Sequence, residues 1–459
     1  MAATAAPDPA VPGGAADSDE PAPRLTVIGT GYLGATHAIC MATLGFHVLG
    51  VDADAGKVGK LNSGEVPFFE PGLPELLTKA LDSGRLRFTT SFADAAEFGD
   101  VHFICVGTPQ QPGSDAADLR YVDSAVTELA AHLRRRALVV GKSTVPVGTA
   151  ARLTELVRRV APAGREVEVA WNPEFLREGY AVDDTLRPDR LVFGVSSAWA
   201  ESRLRAAFGP VIDEGTPVVV ADLTTAELVK MAANSFLATK ISYINAMAEI
   251  CEATGGDVTR LAEALSYDDR IGGRFLKPGL GFGGGCLPKD IRAFAHRAEE
   301  LGVGRAVSFL REVDAINKRR RERTVELVAE LVGGNLTGVR VAALGAAFKP
   351  NSDDIRDAPA LDVATALHRL GAQVTVTDPA ATDNARRGHP ELTYAADAMS
   401  AAAGADVVVL LTEWNEFRLV DPEAMGAVVA RKRIVDGRHA LDPAQWRAAG
   451  WEYRALGRP

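Results

Sequence analysis

The residues with the clearest chemical potential lie between positions 275 and 290, which read Phe-Leu-Lys-Pro-Gly-Leu-Gly-Phe-Gly-Gly-Gly-Cys-Leu-Pro-Lys-Asp. Glycines at 279, 281, 283, 284 and 285 strip the Cβ atoms from the backbone just ahead of Cys286. Such a loop reaches positive φ freely and lets a ligand lie against its main chain. Pro288 stands where a helix begins, and Ile291, Phe294, Ala295 and Ala298 follow at helical spacing. A helix N-terminus and the neighbouring Lys289 should both favour thiolate over thiol. An isolated cysteine is commonly a small core hydrophobe. Here the glycines, the helix start, Lys289 and Asp290 converge on the thiol and mark Cys286 as a nucleophile.

A second chemical signal lies near the start of the chain. Leu25-Thr26-Val27-Ile28 is a short apolar strand, followed by Gly29-Thr30-Gly31-Tyr32-Leu33-Gly34 and a helical run to about residue 44. A second strand over 46–51 ends in Asp52. GxGxxG between strand and helix, with an acid about 20 residues on, is the dinucleotide fingerprint. Gly29 makes the turn, Gly31 admits the pyrophosphate and Gly34 allows close packing of helix on strand. Asp52 should accept from the adenosine ribose hydroxyls, selecting NAD over NADP.

The elements that must position these groups follow from the periodicity. Strands are expected over 100–106, ending at Gly107-Thr108-Pro109, and over 137–140, ending at Gly141-Lys142-Ser143-Thr144-Val145-Pro146. Another over 166–171 opens into Asn172-Pro173-Glu174-Phe175-Leu176-Arg177-Glu178. Thr108, Thr144, Glu174 and Glu178 then stand at carboxyl ends, where open parallel sheets bind ligands. Thr224-Thr225-Ala226-Glu227 has the form of a capping box opening a helix to about residue 254, roughly 45 Å long. Its apolar residues go nearly all round, so it should bridge domains and help build a subunit interface. Lys230 and Asn234, four apart, share one of its faces. A second long helix is expected over 305–332. Its run Lys318-Arg319-Arg320-Arg321-Glu322-Arg323 is better read as a solvated face than as an anion site. Strands over 340–344, 373–377, 405–411 and 433–436 form a second βαβ domain without GxGxxG. Phe348, Lys349 and Arg438 at its strand ends offer apolar contact and positive charge.

The expected fold is α/β, with two Rossmann-like domains joined by a long central helix. A disordered tail covers 1–22, an NAD-binding domain 23–210, a helical dimerisation region 211–335 and a second Rossmann-like domain 336–459. At 459 residues, 47% hydrophobic and 24% charged, the composition is that of a soluble globular protein. A net charge of −10 argues against a general nucleic-acid binder. Cys40, Cys105, Cys251 and Cys286 form no CxxC pair, so neither a disulfide framework nor a metal site is expected, and a reducing cytoplasm fits. The first residues lack the basic and apolar parts of a leader peptide. No apolar run approaches the ~18 residues of a membrane span.

Taken together, Gly281-Phe282-Gly283-Gly284-x-Cys286-x-Pro288-Lys289-Asp290, Ser143-Thr144-Val145-Pro146 and Asn172-Pro173-Glu174-Phe175-Leu176-x-Glu178-Gly179 resemble the nucleotide-sugar 6-dehydrogenases. The resemblance runs from about residue 25 to 441. It implies a four-electron oxidation of a sugar C6 alcohol to a carboxylate, consuming two NAD+ and one water, through a thiohemiacetal and a thioester on Cys286. It also implies that Lys230 and Asp290 manage protons and the developing oxyanion, that Asn234 binds substrate, and that Glu174 and Thr144 act around the catalytic water. Phe275, Lys277, Gly283, Phe348, Lys349 and Arg438 match sugar-nucleotide positions, and Arg270 an arginine that crosses a dimer interface to a neighbour's substrate. Asp52, Lys57, Thr108, Thr144, Glu178, Lys289 and Arg356 match NAD-contacting positions. Many members carry Ser before the cysteine, where this chain has Gly285. Within the family the 281–285 loop and Pro188-Asp189-Arg190 are most similar to the UDP-glucose group, acting as a homodimer or larger homo-oligomer. The alternatives are GDP-mannose or UDP-N-acetylhexosamine oxidation, a simple two-electron dehydrogenase with no use for Cys286, or a non-catalytic NAD-binding regulator.

Overall fold

The computed structural model describes residues 22–458; the tail expected over 1–22 lies, apart from Ala22, outside them. Short apolar runs buried on both faces build two parallel sheets, as continuous hydrophobic strands require. The first sheet contains β1 (Leu25–Ile28), β2 (Val48–Val51), β3 (Leu86–Thr89), β4 (Val101–Ile104), β5 (Ala137–Gly141), β6 (Val167–Trp171), β7 (Leu191–Gly194) and β8 (Val218–Ala221). Their order is β3-β2-β1-β4-β5-β6-β7-β8. Every pairing is parallel except that of β6 with β7, which meet antiparallel at Trp171 and Gly194. Separate apolar cores cover its two faces, one around Leu25, Ile39 and Phe103, the other around Ile28, Val139 and Trp171.

The second sheet contains β9 (Arg340–Leu344), β10 (Gln373–Thr377), β11 (Thr393–Tyr394), β12 (Val407–Leu410), β13 (Arg433–Asp436) and β14 (Glu452–Ala455), in the order β11-β10-β9-β12-β13-β14, all parallel. The periodicity did not announce β11 and β14. One has two residues; the other alternates Glu and Arg with buried Tyr453 and Ala455 as an edge strand.

Five helices position the site: α1 (Tyr32–Thr43), α2 (Thr149–Val160), α3 (Leu223–Thr254), α4 (Leu287–Glu300) and α5 (Phe309–Val332). The 32-residue α3 packs against β6, β7 and α2 near its start and against α4 and α5 further along, so it spans the molecule. Its cap corrects the expected box. Asp222, not Thr224, accepts from Thr225 N at 2.9 Å. Glu227 is thereby free to turn to the start of α2, where it accepts from Gly148 N (2.7 Å) and Ala150 N (2.6 Å). Ahead of α5, residues 304–307 form a separate 3-10 turn, so the helix starts later than expected.

The basic run on α5 also departs from its expected solvated face. Arg320 and Arg321 are buried. Arg320 pairs with Glu252 at 2.6 Å, and Arg321 with Asp362 while donating to Phe282 O at 3.0 Å. Carboxylates on α3 and in the second Rossmann-like domain supply the compensation that burying guanidinium groups demands. Among the described residues no helix is long and apolar enough to cross a membrane.

Candidate active site

The first sheet prepares a cradle at its switch point, between β1 and β4. Gly31 is the N-cap of α1; no side chain caps that terminus and no acid lies in its first turn. A Cβ on Gly31 would meet nothing within 4 Å, whereas one on Gly34 would fall 1.8 Å from Gly29 O. The first position is thus open to a ligand, and the second demands glycine for close helix–strand packing. Asp52 Oδ2 accepts from Thr30 N (2.8 Å), Thr30 Oγ1 (3.0 Å) and Lys57 Nζ (2.9 Å). Burial pushes the Asp52 carboxyl up, but Lys57 and the N–H groups of Asp54 and Thr30 outweigh it and hold the pKa below the ordinary range. An uncapped helix start beside an ionised acid fits a dinucleotide, the pyrophosphate on the helix and a ribose on the carboxylate.

Cys286 is the N-cap of α4, at the end of a loop pressed between α5 and the second Rossmann-like domain. Asn317 accepts from Phe282 N (2.8 Å) and donates to Phe282 O (2.9 Å). Asn245 Oδ1 accepts from Gly279 N at 2.9 Å, and Gly284 N donates to Arg356 O at 2.9 Å. A Cβ at Gly283 would lie 2.3 Å from Asp357 O, and one at Gly284 2.7 Å from the Phe348 ring. These glycines therefore serve a close approach of protein to protein more than contact with a ligand. The same holds for Gly285, whose Cβ would lie 2.3 Å from Arg356 Cζ. The guanidinium occupies the space that a serine side chain would enter.

Around the thiol stand groups from distant parts of the chain. Asp290 accepts from Asn234 Nδ2 (2.7 Å) on one oxygen and from Lys289 Nζ (2.5 Å) on the other. Lys230 Nζ lies 5.4 Å from the Phe175 ring centroid. Thr108 Oγ1 donates to Thr144 O at 2.8 Å, and both residues line a narrow crevice with Met231, Lys289 and Asp290. The expected preference for thiolate is not met. Cys286 is exposed on the cleft, yet the desolvating effect of the protein around the thiol, and then Asp290, raise its pKa, with Lys230 and Lys289 opposing.

Glu174 stands at the end of β6. Its Oε1 accepts from Phe175 N (2.7 Å) and Leu176 N (2.9 Å), and its Oε2 lies 3.0 Å from Lys142 Nζ. Burial raises its pKa, but Lys142 and the two N–H groups reverse the shift, leaving the carboxyl below its usual range. Glu178 reaches across to the second Rossmann-like domain, accepting from Ser352 Oγ (3.1 Å) and Arg356 (3.5 Å). Burial and Asp354 raise its pKa against the pull of Arg356 and Lys349.

On that second side, Lys349 Nζ lies 5.4 Å from the Phe348 ring, and burial lowers its pKa despite Glu178 and Cys286 nearby. Phe275 adopts φ 64° and, like Lys277, is exposed. Arg438 is committed to the backbone, donating to Leu411 O (2.8 Å), Gly281 O (2.9 Å) and Phe348 O (3.3 Å). Arg270 is not brought to the cleft of its own chain; it points outward, 88% exposed and paired with Asp268. Lys142, Asn245 and Asn317 also shape the site and belong to none of the expected site residues. Lys142 alone left a signal, a lysine directly after the all-apolar run of β5, where burial requires an anionic partner.

The chain matches three profiles of the UDP-glucose/GDP-mannose dehydrogenase family: the NAD binding domain over residues 23–212, the central domain over 224–319 and the UDP binding domain over 342–443. It is 41% identical over 438 residues to a UDP-glucose 6-dehydrogenase of Rhizobium meliloti, covering 95% of this chain and 100% of that one. Among solved structures it is similar to a UDP-glucose dehydrogenase from Pyrobaculum islandicum (TM-score 0.88, 38% identity, 97% and 100% of the two chains). It is also similar to a UDP-D-ManNAc dehydrogenase from Pyrococcus horikoshii (TM-score 0.83, 28% identity, 95% and 99%).

Proposed function

The chain belongs to the UDP-glucose/GDP-mannose dehydrogenase family, and from that premise we propose that it oxidises the C6 alcohol of UDP-glucose to the carboxylate with NAD. Cys286 holds the sugar between the two oxidations. The substrate follows from the relatives named for UDP-glucose, which exceed in identity the neighbour named for UDP-D-ManNAc. The mechanism rests on one observation, the convergence near a single thiol of Lys230, Lys289, Asp290 and Glu178, drawn from α3, α4 and the loop after β6.

NAD+, when bound at the cradle of Gly29, Gly31, Gly34, Asp52 and Lys57, supplies the hydride acceptor for each oxidation, two per substrate. Lys230 and Asp290 receive the hydroxyl proton of C6 and stabilise its oxygen, with Asn234 fixing Asp290. The Cys286 sulfur adds to the aldehyde carbon as its proton leaves and the carbonyl oxygen is protonated, giving a thiohemiacetal. Loss of a second hydride and the hydroxyl proton leaves a thioester, a covalent hold that prevents escape of the aldehyde. Glu174, with Thr144 nearby, orients or deprotonates the water that cleaves it. Thr108, Glu178, Lys289 and Arg356 complete the cofactor side; Phe275, Lys277, Phe348 and Lys349 hold the sugar nucleotide, and Gly283 and Arg438 serve it indirectly by fixing the loop and strand end it lies against.

The enzyme acts in this proposal as a homodimer or larger homo-oligomer in which Arg270 reaches a partner subunit's substrate. Exposed Phe236, Tyr243 and Ile250 along α3, and the outward course of Arg270, support it. The four unpaired cysteines suit a cytoplasmic setting.

The test is stoichiometry with trapping. Two NADH should form per UDP-glucose consumed. Glu174→Gln should release NADH in a first turnover and stall with sugar on Cys286, seen as an intact-mass adduct after acid quenching. Cys286→Ala should abolish the adduct. One NADH per sugar, or full carboxylate production by Cys286→Ala, would overturn the covalent reading; consumption of GDP-mannose in preference to UDP-glucose would overturn the substrate.

A further inference from the structure

Behind Glu174 lies a buried lysine, Lys142, to which the proposed reaction gives no task. The Lys142 side chain is 4% exposed, and its Nζ stands 3.0 Å from Glu174 Oε2 and 2.9 Å from Asn172 Oδ1. Asn172 is itself fixed, its Nδ2 donating to Val192 O at 3.0 Å. With Phe175 N and Leu176 N on Oε1, both carboxylate oxygens of Glu174 are spoken for by the protein. The titratable groups whose protonation responds to the pair are His37 and Cys40 from α1 and Cys105 after β4; Glu70 lies beyond Cys40, and Lys230 and Arg190 face the ring of the adjacent Phe175. His37 and both thiols are buried, and neither ring nitrogen of His37 finds a hydrogen-bond partner among the described residues. Burial, then Lys142, pushes the His37 pKa down, and burial pushes both thiols up to about 12, so all three are neutral at working pH. One cation and one anion therefore face each other, with neutral His37, Cys40 and Cys105 packed against them. Each supplies the opposite charge that the other's burial requires, beside the hydrogen bonds already named.

We propose that Lys142 is a positioning residue for thioester hydrolysis, holding the Glu174 carboxylate as an oriented anion at the wall of the cleft. The inference rests on the assignment of Cys286 and Glu174 made above. In the step concerned, a water oxygen bonds to the thioester carbon and gives one proton to Glu174. The carbon–sulfur bond then breaks, its electron pair leaving on the Cys286 sulfur, which regains a proton from the new carboxylic acid. Without Lys142, a carboxylate withdrawn from water and held only by two N–H groups takes up a proton at higher pH. It then ceases to accept one from water, while the two oxidations that precede it are untouched.

The measurement is the rate of adduct breakdown against pH, with the first-turnover NADH burst recorded beside it. In Lys142→Met the burst should persist and the Cys286 adduct should accumulate. Breakdown should slow about 10²-fold at neutral pH, the lower end of what general-base assistance supplies. It should also recover as pH rises through a range where the wild-type rate is flat. The double variant Lys142→Met/Glu174→Gln should be no slower than Glu174→Gln alone, since residues acting through one another are non-additive. Lys142→Arg, which keeps the charge, should retain the flat profile; with the double variant it carries the test should Lys142→Met not fold. If Glu174→Gln accumulates adduct while Lys142→Met breaks it down with the wild-type profile, Lys142 has no such role. The same follows if the double variant is slower by the product of the single effects, or if Lys142→Arg acquires the acid limb. If Glu174→Gln accumulates no adduct, the assignment of Glu174 falls and this inference falls with it.

Discussion

The two parallel sheets share one strand order about their first strands, β3-β2-β1-β4 and β11-β10-β9-β12, yet their switch points meet different fates. In each, the second strand ends in an acid that reaches back to the loop after the first strand. Asp52 does so to Thr30 N, and Asp378 to Ala346 N (2.8 Å) and Ala347 N (3.0 Å). At the first switch point α1 begins at once behind Gly31, and its uncapped N–H groups face the crevice. At the second, Trp414 Nε1 closes onto Asp378 at 3.0 Å, and no helix begins until Pro359. The intervening chain, 348–358, runs out toward the cysteine loop and brings Phe348, Lys349 and Arg356 to it. Strand order makes a crevice in both sheets. Whether it receives a dinucleotide depends on a helix start left without a partner. The first sheet receives; the second reaches.

The sharpest break of this comparison is at Asp378. Its carboxylate accepts from Ala346, Ala347, Ala380 and Ala381 N–H groups and from Trp414. Asp378→Ala leaves several buried donors unmet, at ~1–3 kcal/mol each, so unfolding should lose at least about 3 kcal/mol. NAD affinity, measured calorimetrically on the folded fraction, should not change; a large loss would mean that the two switch points are coupled. Next is Gly31→Val. Gly31 has φ −69°, which any residue adopts, and open space at its Cβ. Chemical denaturation should therefore shift by no more than ~0.5 kcal/mol. NAD affinity should fall about 100-fold, the equivalent of ~3 kcal/mol of overpacking against a ligand. Retained affinity would place the pyrophosphate elsewhere.

A smaller effect is expected at Asp52. Asp52→Ala should weaken NAD about tenfold and relax discrimination against NADP, as loss of a hydrogen bond to a charged group implies. Because the folded pKa of Asp52 is depressed, its contribution is present above the ordinary carboxylate range and is lost only as pH falls through the lower folded value. NAD affinity should thus be flat with pH across and above the ordinary range as far as this group decides it. A wild-type preference for NADP would remove Asp52 from the ribose. The smallest effect belongs to Gly285→Ser. The new Cβ meets only the mobile end of Arg356, so the cost should be about 1 kcal/mol. It should appear as a loosened link between Arg356 and Glu178, read by limited proteolysis of the 348–358 segment. Unchanged cleavage would show that the guanidinium relocates freely.

By itself the sequence determined whatever depends on neighbours within one element. The α/β class, the strand–glycine–helix cradle, the strand ends carrying Thr108, Thr144 and Glu174, and the helix start behind Cys286 are all written in spacing. So is membership of the family, because its motifs are contiguous. Tertiary structure alone decided whatever depends on groups far apart in the chain. Asp222 captured the cap of α3 and released Glu227 to α2, about 77 residues away. Carboxylates from α3 and the second Rossmann-like domain turned Arg320 and Arg321 inward. Burial and Asp290 overrode the local pull toward thiolate at Cys286. Lys142 and Glu174 find each other from adjacent strands, and Gly285 yields its space to Arg356 from the second Rossmann-like domain. Periodicity is a property of the backbone, legible along the chain. Protonation and pairing are set through space, by the nearest opposite charge and by the water that folding removes.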